Sequence, residues 1–135
     1  MPPERLPQVP VFDFKPLDDA FARLTSNAWK YEDALFNFKK GSLSAEKKSE
    51  INALLKGVDQ AFINIEGLPR RDWFKNMMYA PGYYTGYGVK TLPGIREGLE
   101  ESQWDEVRKY IKEVSKALDR ASVNINSASR ILDEN

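Results

Sequence analysis

The chain has 135 residues, 41% of them hydrophobic, and its twenty basic and twenty acidic residues cancel to a net charge of zero. That is enough apolar material for one domain with its own core. No apolar run is long enough to span a bilayer, and the field of a nucleic-acid binder is missing, leaving at most a local basic patch such as Arg70-Arg71. Histidine and cysteine are absent, which removes the usual zinc and iron ligands, the histidine-dependent nucleophiles and any disulfide; the carboxylates lie scattered along helical faces without calcium-loop spacing.

Residues 1–15 hold Pro2, Pro3, Pro7 and Pro10 among Val9, Val11, Phe12 and Phe14, a composition that predicts an extended N-terminal segment. The helical domain then occupies residues 16–135, with Pro16 in a first helical turn. Leu17, Phe21, Leu24, Ala28, Tyr31, Leu35 and Phe38 alternate spacings of four and three, the seam of an antiparallel bundle, and this helix is expected to end near Gly41. Ala22, Trp29 and Phe36 form a second stripe with a seven-residue period on a separate face. It reads either as an interface to another body or as packing against a third helix or a long loop.

A second helix is expected from Ser44, an N-cap with Glu46 in the first turn, with the face Ile51, Leu54, Leu55, Val58, Phe62 and Ile65 and a left-handed stop at Gly67. The stretch from Gly67 to Ile95 then breaks the helical pattern. Gly67-Leu68-Pro69 leads through Trp73-Phe74 to Tyr79-Ala80-Pro81, a run of Gly82-Tyr83-Tyr84-Thr85-Gly86-Tyr87-Gly88, and Leu92-Pro93-Gly94-Ile95. Rigid aromatic rings on so turn-rich a loop point to a contact surface. A short helix follows from Thr91 to about Ser102, with Pro93 in its first turn. Ser102-Gln103-Trp104-Asp105 has the pattern of a capping box for the last helix. Its seam runs through Trp104, Val107, Ile111, Val114, Leu118, Ala121, Ile125, Ala128 and Leu132.

Strand alternation never persists, so the expected fold is all-α: an up-and-down four-helix bundle with a long Tyr/Gly/Pro-rich loop between the second and third helices.

In order and spacing, Gly67-Leu68-Pro69, Arg71, Phe74, Tyr79-Ala80-Pro81, Tyr87 and Leu92-Pro93-Gly94-Ile95, followed by a long amphipathic helix, resemble a known family. It is the C-terminal helical dimerisation domain shared by glutamate carboxypeptidase II-like peptidases and the transferrin receptor. The similarity extends over nearly the whole chain from about Phe14, and Tyr79-Ala80-Pro81 with Pro93-Gly94-Ile95 look more like the peptidase branch.

The resemblance implies a part of a larger protein. In the family a zinc peptidase domain carrying an inserted apical domain precedes this bundle, so zinc is expected there and no cofactor here, and the bundle alone is not expected to hydrolyse peptides. The implied partners are a second copy, forming a homodimer, and the peptidase and apical domains of the same parent; neither nucleic acid nor direct membrane contact is expected. The bundle is expected to be soluble and its parent membrane-anchored, with this domain outside the cell or in a vacuolar or secretory lumen.

In glutamate-selective members a Lys-Tyr pair on the loop binds the carboxylates of the substrate's C-terminal residue. Ungapped matching places Tyr87 at the tyrosine and Gly86 at the lysine, which puts glutamate selectivity in doubt and leaves Lys90 as a cation able to approach the same space. Ala22, Trp29 and Phe36 are the interface candidates. The alternatives are the same bundle in a non-catalytic receptor or sorting relative, or an unrelated helical interaction module.

Overall fold

The computed structural model describes residues 2–38, 43–84, 86 and 88–135. Their order is α1 (Lys15–Asn37), α2 (Ala45–Gln60), β1 (Tyr79–Pro81), β2 (Val89–Thr91), α3 (Pro93–Glu100) and α4 (Trp104–Asp133). The protein is mostly helical, as expected. The all-α expectation needs one amendment: inside the long loop β1 and β2 form an antiparallel ribbon with Ala80 opposite Lys90. Each strand has only three residues, too few for an alternation to register in the sequence.

Helix α4 is the spine against which α1, α2 and α3 all pack. Val107, Val114, Ala121 and Ala128 recur at heptad spacing and are essentially inaccessible to solvent, and Ile111, Leu118 and Leu132 flank them. Around the N-terminal half of α4 the core gathers Ala20, Leu68, Met77, Ala80, Ile95 and Tyr110. Around its C-terminal half Ala34 and Ile51 meet Ala128 and Leu132.

Helix α1 is turned slightly from its expected seam: Leu17, Leu24, Tyr31 and Phe38 pack half-buried against the core, but the centre of the contact lies elsewhere. Its buried positions are Ala20 and Ala34, and Asn27 between them donates from Nδ2 to Ser122 Oγ of α4 at 2.6 Å. Phe21 and Leu35, predicted to face inward, are 62% and 53% exposed. Small side chains on both helices allow a close approach, and the Asn27–Ser122 bond fixes the rotation. Bulk alone pointed one residue away.

Ser44 caps α2 as expected, accepting from the Lys47 amide at 3.2 Å, but the helix stops at Gln60, well before Gly67. Beyond it the Asn64 amide donates to Lys75 O (2.8 Å) and the Met77 amide to Phe62 O (2.9 Å), so these residues pair with a returning segment. The run Ile63-Asn64-Ile65 suits that extended path, and Asn64 Oδ1 accepts from the Glu66 amide in an Asx turn. Ile65, assigned to the helix face, is 84% exposed. Gly67 is left-handed (φ 78°), yet it serves the tight turn that follows, where a Cβ would lie 2.2 Å from Asp72 O. The expected end of α1 near Gly41 lies outside the described residues; the last helical residue is Asn37, with Phe38 as C-cap.

The capping box before α4 does not form. Ser102 adopts φ 56° and makes no side-chain cap; it terminates α3. The Gln103 amide donates to Gly98 O at 2.8 Å and the Ser102 amide to Leu99 O at 3.4 Å, the paired bonds of a Schellman motif with Ser102 at the left-handed position. Ser102→Gly removes a Cβ that this conformation disfavours. We expect it to raise stability by about 0.5–1 kcal/mol, net of the glycine's greater unfolded-state entropy, in urea denaturation with an unchanged m-value.

Candidate functional site

Two surfaces carry the candidate residues. The first is the tip of the β1–β2 ribbon. The loop closes on itself through glycine backbones: the Gly82 amide donates to Gly88 O at 2.8 Å and the Gly86 amide to Gly82 O at 2.9 Å. Gly86 sits at φ 64° with no atom within 4 Å of where a Cβ would be, so the place matched to the family's lysine opens to free space. Tyr87 lies outside the described residues. Tyr83 and Tyr84 pack edge to face at 4.8 Å.

Beneath the tip lies a charged cluster that composition did not disclose. Arg71 and Glu97 are only 5% and 6% exposed. Arg71 Nη2 donates to both Glu97 carboxylate oxygens at 2.6 and 2.7 Å, while Nη1 donates to the Pro81 carbonyl at the end of β1. Glu97 Oε1 also accepts from the Tyr83 amide at 3.4 Å. Next door Arg70, left-handed at φ 62°, grips Glu106 through two bonds of 2.9 and 3.4 Å. Both guanidinium groups lie over the Tyr83 ring at 5.6 and 5.7 Å. Arg70-Arg71 is therefore no basic patch: each arginine is matched by a glutamate. Arg71 stood out in the sequence as half of a possible basic patch and as part of the family-like order; its partner carried no signal, because it lies twenty-six positions further along the chain.

Lys90 sits on β2 with its ammonium held by both Glu100 oxygens at 2.8 and 2.7 Å. Its positive charge is thus answered within the domain. That hydrogen bond from Lys90, assisted by one from Arg96 and opposed by partial desolvation, keeps the Glu100 carboxyl below the usual glutamate range. A depressed carboxyl pKa contributes stability above the unfolded value, about 4.3, and loses it as pH falls through the folded value. Glu100→Gln should therefore lower the melting temperature slightly at neutral pH and converge with wild type toward about pH 3, as read by circular dichroism; this half-exposed pair contributes under about 1 kcal/mol.

The second surface is the outer face of α1. Trp29 and Phe36 are 66% and 90% exposed, and Ala22 is exposed beside them. The rotation of α1 also brings Phe21 and Leu35 outward, so they widen this exposed side of the helix, on which Asp18 and Glu32 are interspersed. Phe21 continues into a groove of about 740 Å³ between α1, the end of α2 and the ribbon, lined by Leu17, Phe62, Ile63, Met78 and Leu92 among others. Among the described residues no group of three or more histidine, cysteine, aspartate or glutamate side chains is placed to hold a metal ion. No helix of the described residues is long and apolar enough to cross a membrane.

A spine helix, an irregular aromatic loop pinned to it and an uncovered apolar helix face describe a helical association module. The chain belongs to the transferrin receptor-like dimerisation domain family, whose pattern it matches over residues 12–126. It is 32% identical to a probable glutamate carboxypeptidase of Arthroderma benhamiae over 53% of this chain and 10% of that protein. It is 30% identical to a probable glutamate carboxypeptidase of Arabidopsis thaliana over 63% of this chain and 14% of that protein. An inactive zinc metalloprotease of Schizosaccharomyces pombe shares 26% identity over 93% of this chain and 17% of its own length. The chain thus spans less than a fifth of these relatives.

Proposed function

We propose that this domain joins two copies of a glutamate carboxypeptidase-like zinc peptidase and contributes its Gly82–Gly88 loop to the substrate pocket of the adjoining peptidase domain, which holds the zinc. The observation that carries the pairing role is the uncovered face of Phe21, Trp29, Leu35 and Phe36, in a chain whose family is a dimerisation domain. Single exposed apolar residues are ordinary on a monomer; four large ones on one helix face are a surface awaiting a partner. The names of the Arthroderma and Arabidopsis relatives support the peptidase context.

Sedimentation velocity over a concentration series tests the pairing. Wild type should self-associate, and Trp29→Asp combined with Phe36→Asp should weaken the dimer by about 2 kcal/mol or more, roughly thirtyfold in Kd. Because both side chains are exposed within one chain, the melting temperature of the variant monomer should change little. An unchanged Kd would move the interface off this face.

In the loop, Tyr87 is proposed to donate its hydroxyl to a carboxylate of the substrate's C-terminal residue. In a peptidase carrying this domain, Tyr87→Phe should raise KM by the equivalent of roughly 1.5–3 kcal/mol and leave the melting temperature almost unchanged. Gly86 brings no charge and Lys90 is paired with Glu100, so discrimination between C-terminal glutamate and a neutral residue should be weak. The space around Gly86 admits a side chain, and Gly86→Lys should shift preference toward glutamate despite the left-handed backbone. Steady-state kinetics on paired dipeptides decides; an unchanged KM in Tyr87→Phe would confine the loop to a structural role.

A further inference from the structure

We infer that Arg71 and Glu97 are positioning residues for the Gly82–Gly88 loop, a buried ion pair that fixes where the loop leaves β1 and so how its tip is presented. The inference rests on the substrate-wall reading only for its consequence in catalysis; the positioning itself belongs to this chain.

The carrying observation is where the pair's hydrogen bonds go. Gly82 is the first residue after β1, and the groups on either side of it are both held: the Pro81 carbonyl by Arg71 Nη1 and the Tyr83 amide by Glu97 Oε1. The two holders are locked to each other by the doubled bond from Arg71 Nη2 to the Glu97 carboxylate. Arg71 stands on the turn after Gly67 and Glu97 on α3, so one guanidinium ties the turn, the strand end and the helix together. The Gly82 amide then donates to Gly88 O, passing the constraint across the mouth of the loop. The same guanidinium lies over the Tyr83 ring, which fixes that side chain as well.

Stability does not account for such a pair. Burying two charges costs about as much as their attraction returns, and a hydrophobic pair of similar volume often serves the fold equally well or better. What an apolar pair cannot supply is the direction given to the Pro81 carbonyl and the Tyr83 amide. Lysine cannot supply it either, since a single ammonium lacks the planar fork that serves Glu97 and Pro81 at once.

The test separates folding from positioning. In the double variant Arg71→Met/Glu97→Leu the melting temperature should hold or rise. Amide exchange followed by NMR should quicken by about tenfold or more at Gly82, Tyr83 and Gly86, while the α4 amides keep their protection. Arg71→Lys is the second variant, retaining the charge opposite Glu97 without the reach to Pro81, and it should loosen the same amides; it decides the matter if the double variant does not fold. Unchanged exchange at the loop amides in a folded variant would overturn the inference. In a peptidase carrying this domain, the double variant should raise KM severalfold with little change in kcat. Faster loop exchange with an unmoved KM would uphold the positioning role and remove the loop from the substrate pocket, whereas Tyr87→Phe tests that pocket role alone.

Discussion

Everything in this domain hangs on the narrowness of α4 where α1 crosses it. The small and medium side chains Val107, Val114, Ala121 and Ala128 line one face, with Ser115, Ser122 and Ser129 beside them, all buried. Two of those serines turn inward on their own helix, Ser115 donating to Ile111 O and Ser129 to Ile125 O, which removes their polarity from the interface. Ser122 is engaged by Asn27, and at the rim Arg23 grips Asp119 through two bonds of 2.8 and 3.0 Å. A contact made through alanine, serine and asparagine keeps Leu17, Leu24 and Tyr31 of α1 at the edge of the core and leaves Phe21 and Leu35 no room inside. Their exposure is a direct consequence of the close approach.

The other half of the domain obeys a different constraint. The excursion from Phe62 to Thr91 has little regular structure, so its backbone groups need partners along an irregular path. They find them in the isolated bridge Ile63–Asn76, the tight turn at Gly67 and the short β1–β2 ribbon. Glycines are needed where chains touch: Gly94 lies under Tyr110, whose ring a Cβ would meet at 2.3 Å, while the Tyr110 hydroxyl donates to Gly67 O at 3.0 Å. That phenol joins α4, α3 and the Gly67 turn, and its burial pushes its pKa upward. The loop tip is thus carried on a rigid base, the arrangement expected when a loop must present groups to another body.

These two constraints suit the two roles proposed for the domain. On that reading, a helix face left open by tight packing is available for association, and an aromatic loop anchored by a buried ion pair is available to an adjoining domain.

The sequence by itself determined what periodicity and covalent geometry control. The four helices, the long seam of α4, the Ser44 cap, Pro16 and Pro93 in first turns, and the family-like order from Gly67 to Ile95 were all legible. Trp29 and Phe36 stood out as a stripe distinct from the core. Only the tertiary structure decided the rotation of α1, because hydrophobic bulk marks Phe21 and Leu35 as inward until the small residues of α4 set the separation. It decided the fate of Ser102, since one serine suits both the end of α3 and the start of α4, and the paired bonds to Gly98 and Leu99 favour the first. The early end of α2 and the ribbon at Tyr79 depend on pairing with residues more than ten positions away. So does the meeting of Arg71 with Glu97, for a buried ion pair is a fact about distance in space, and residue spacing along the chain does not encode it.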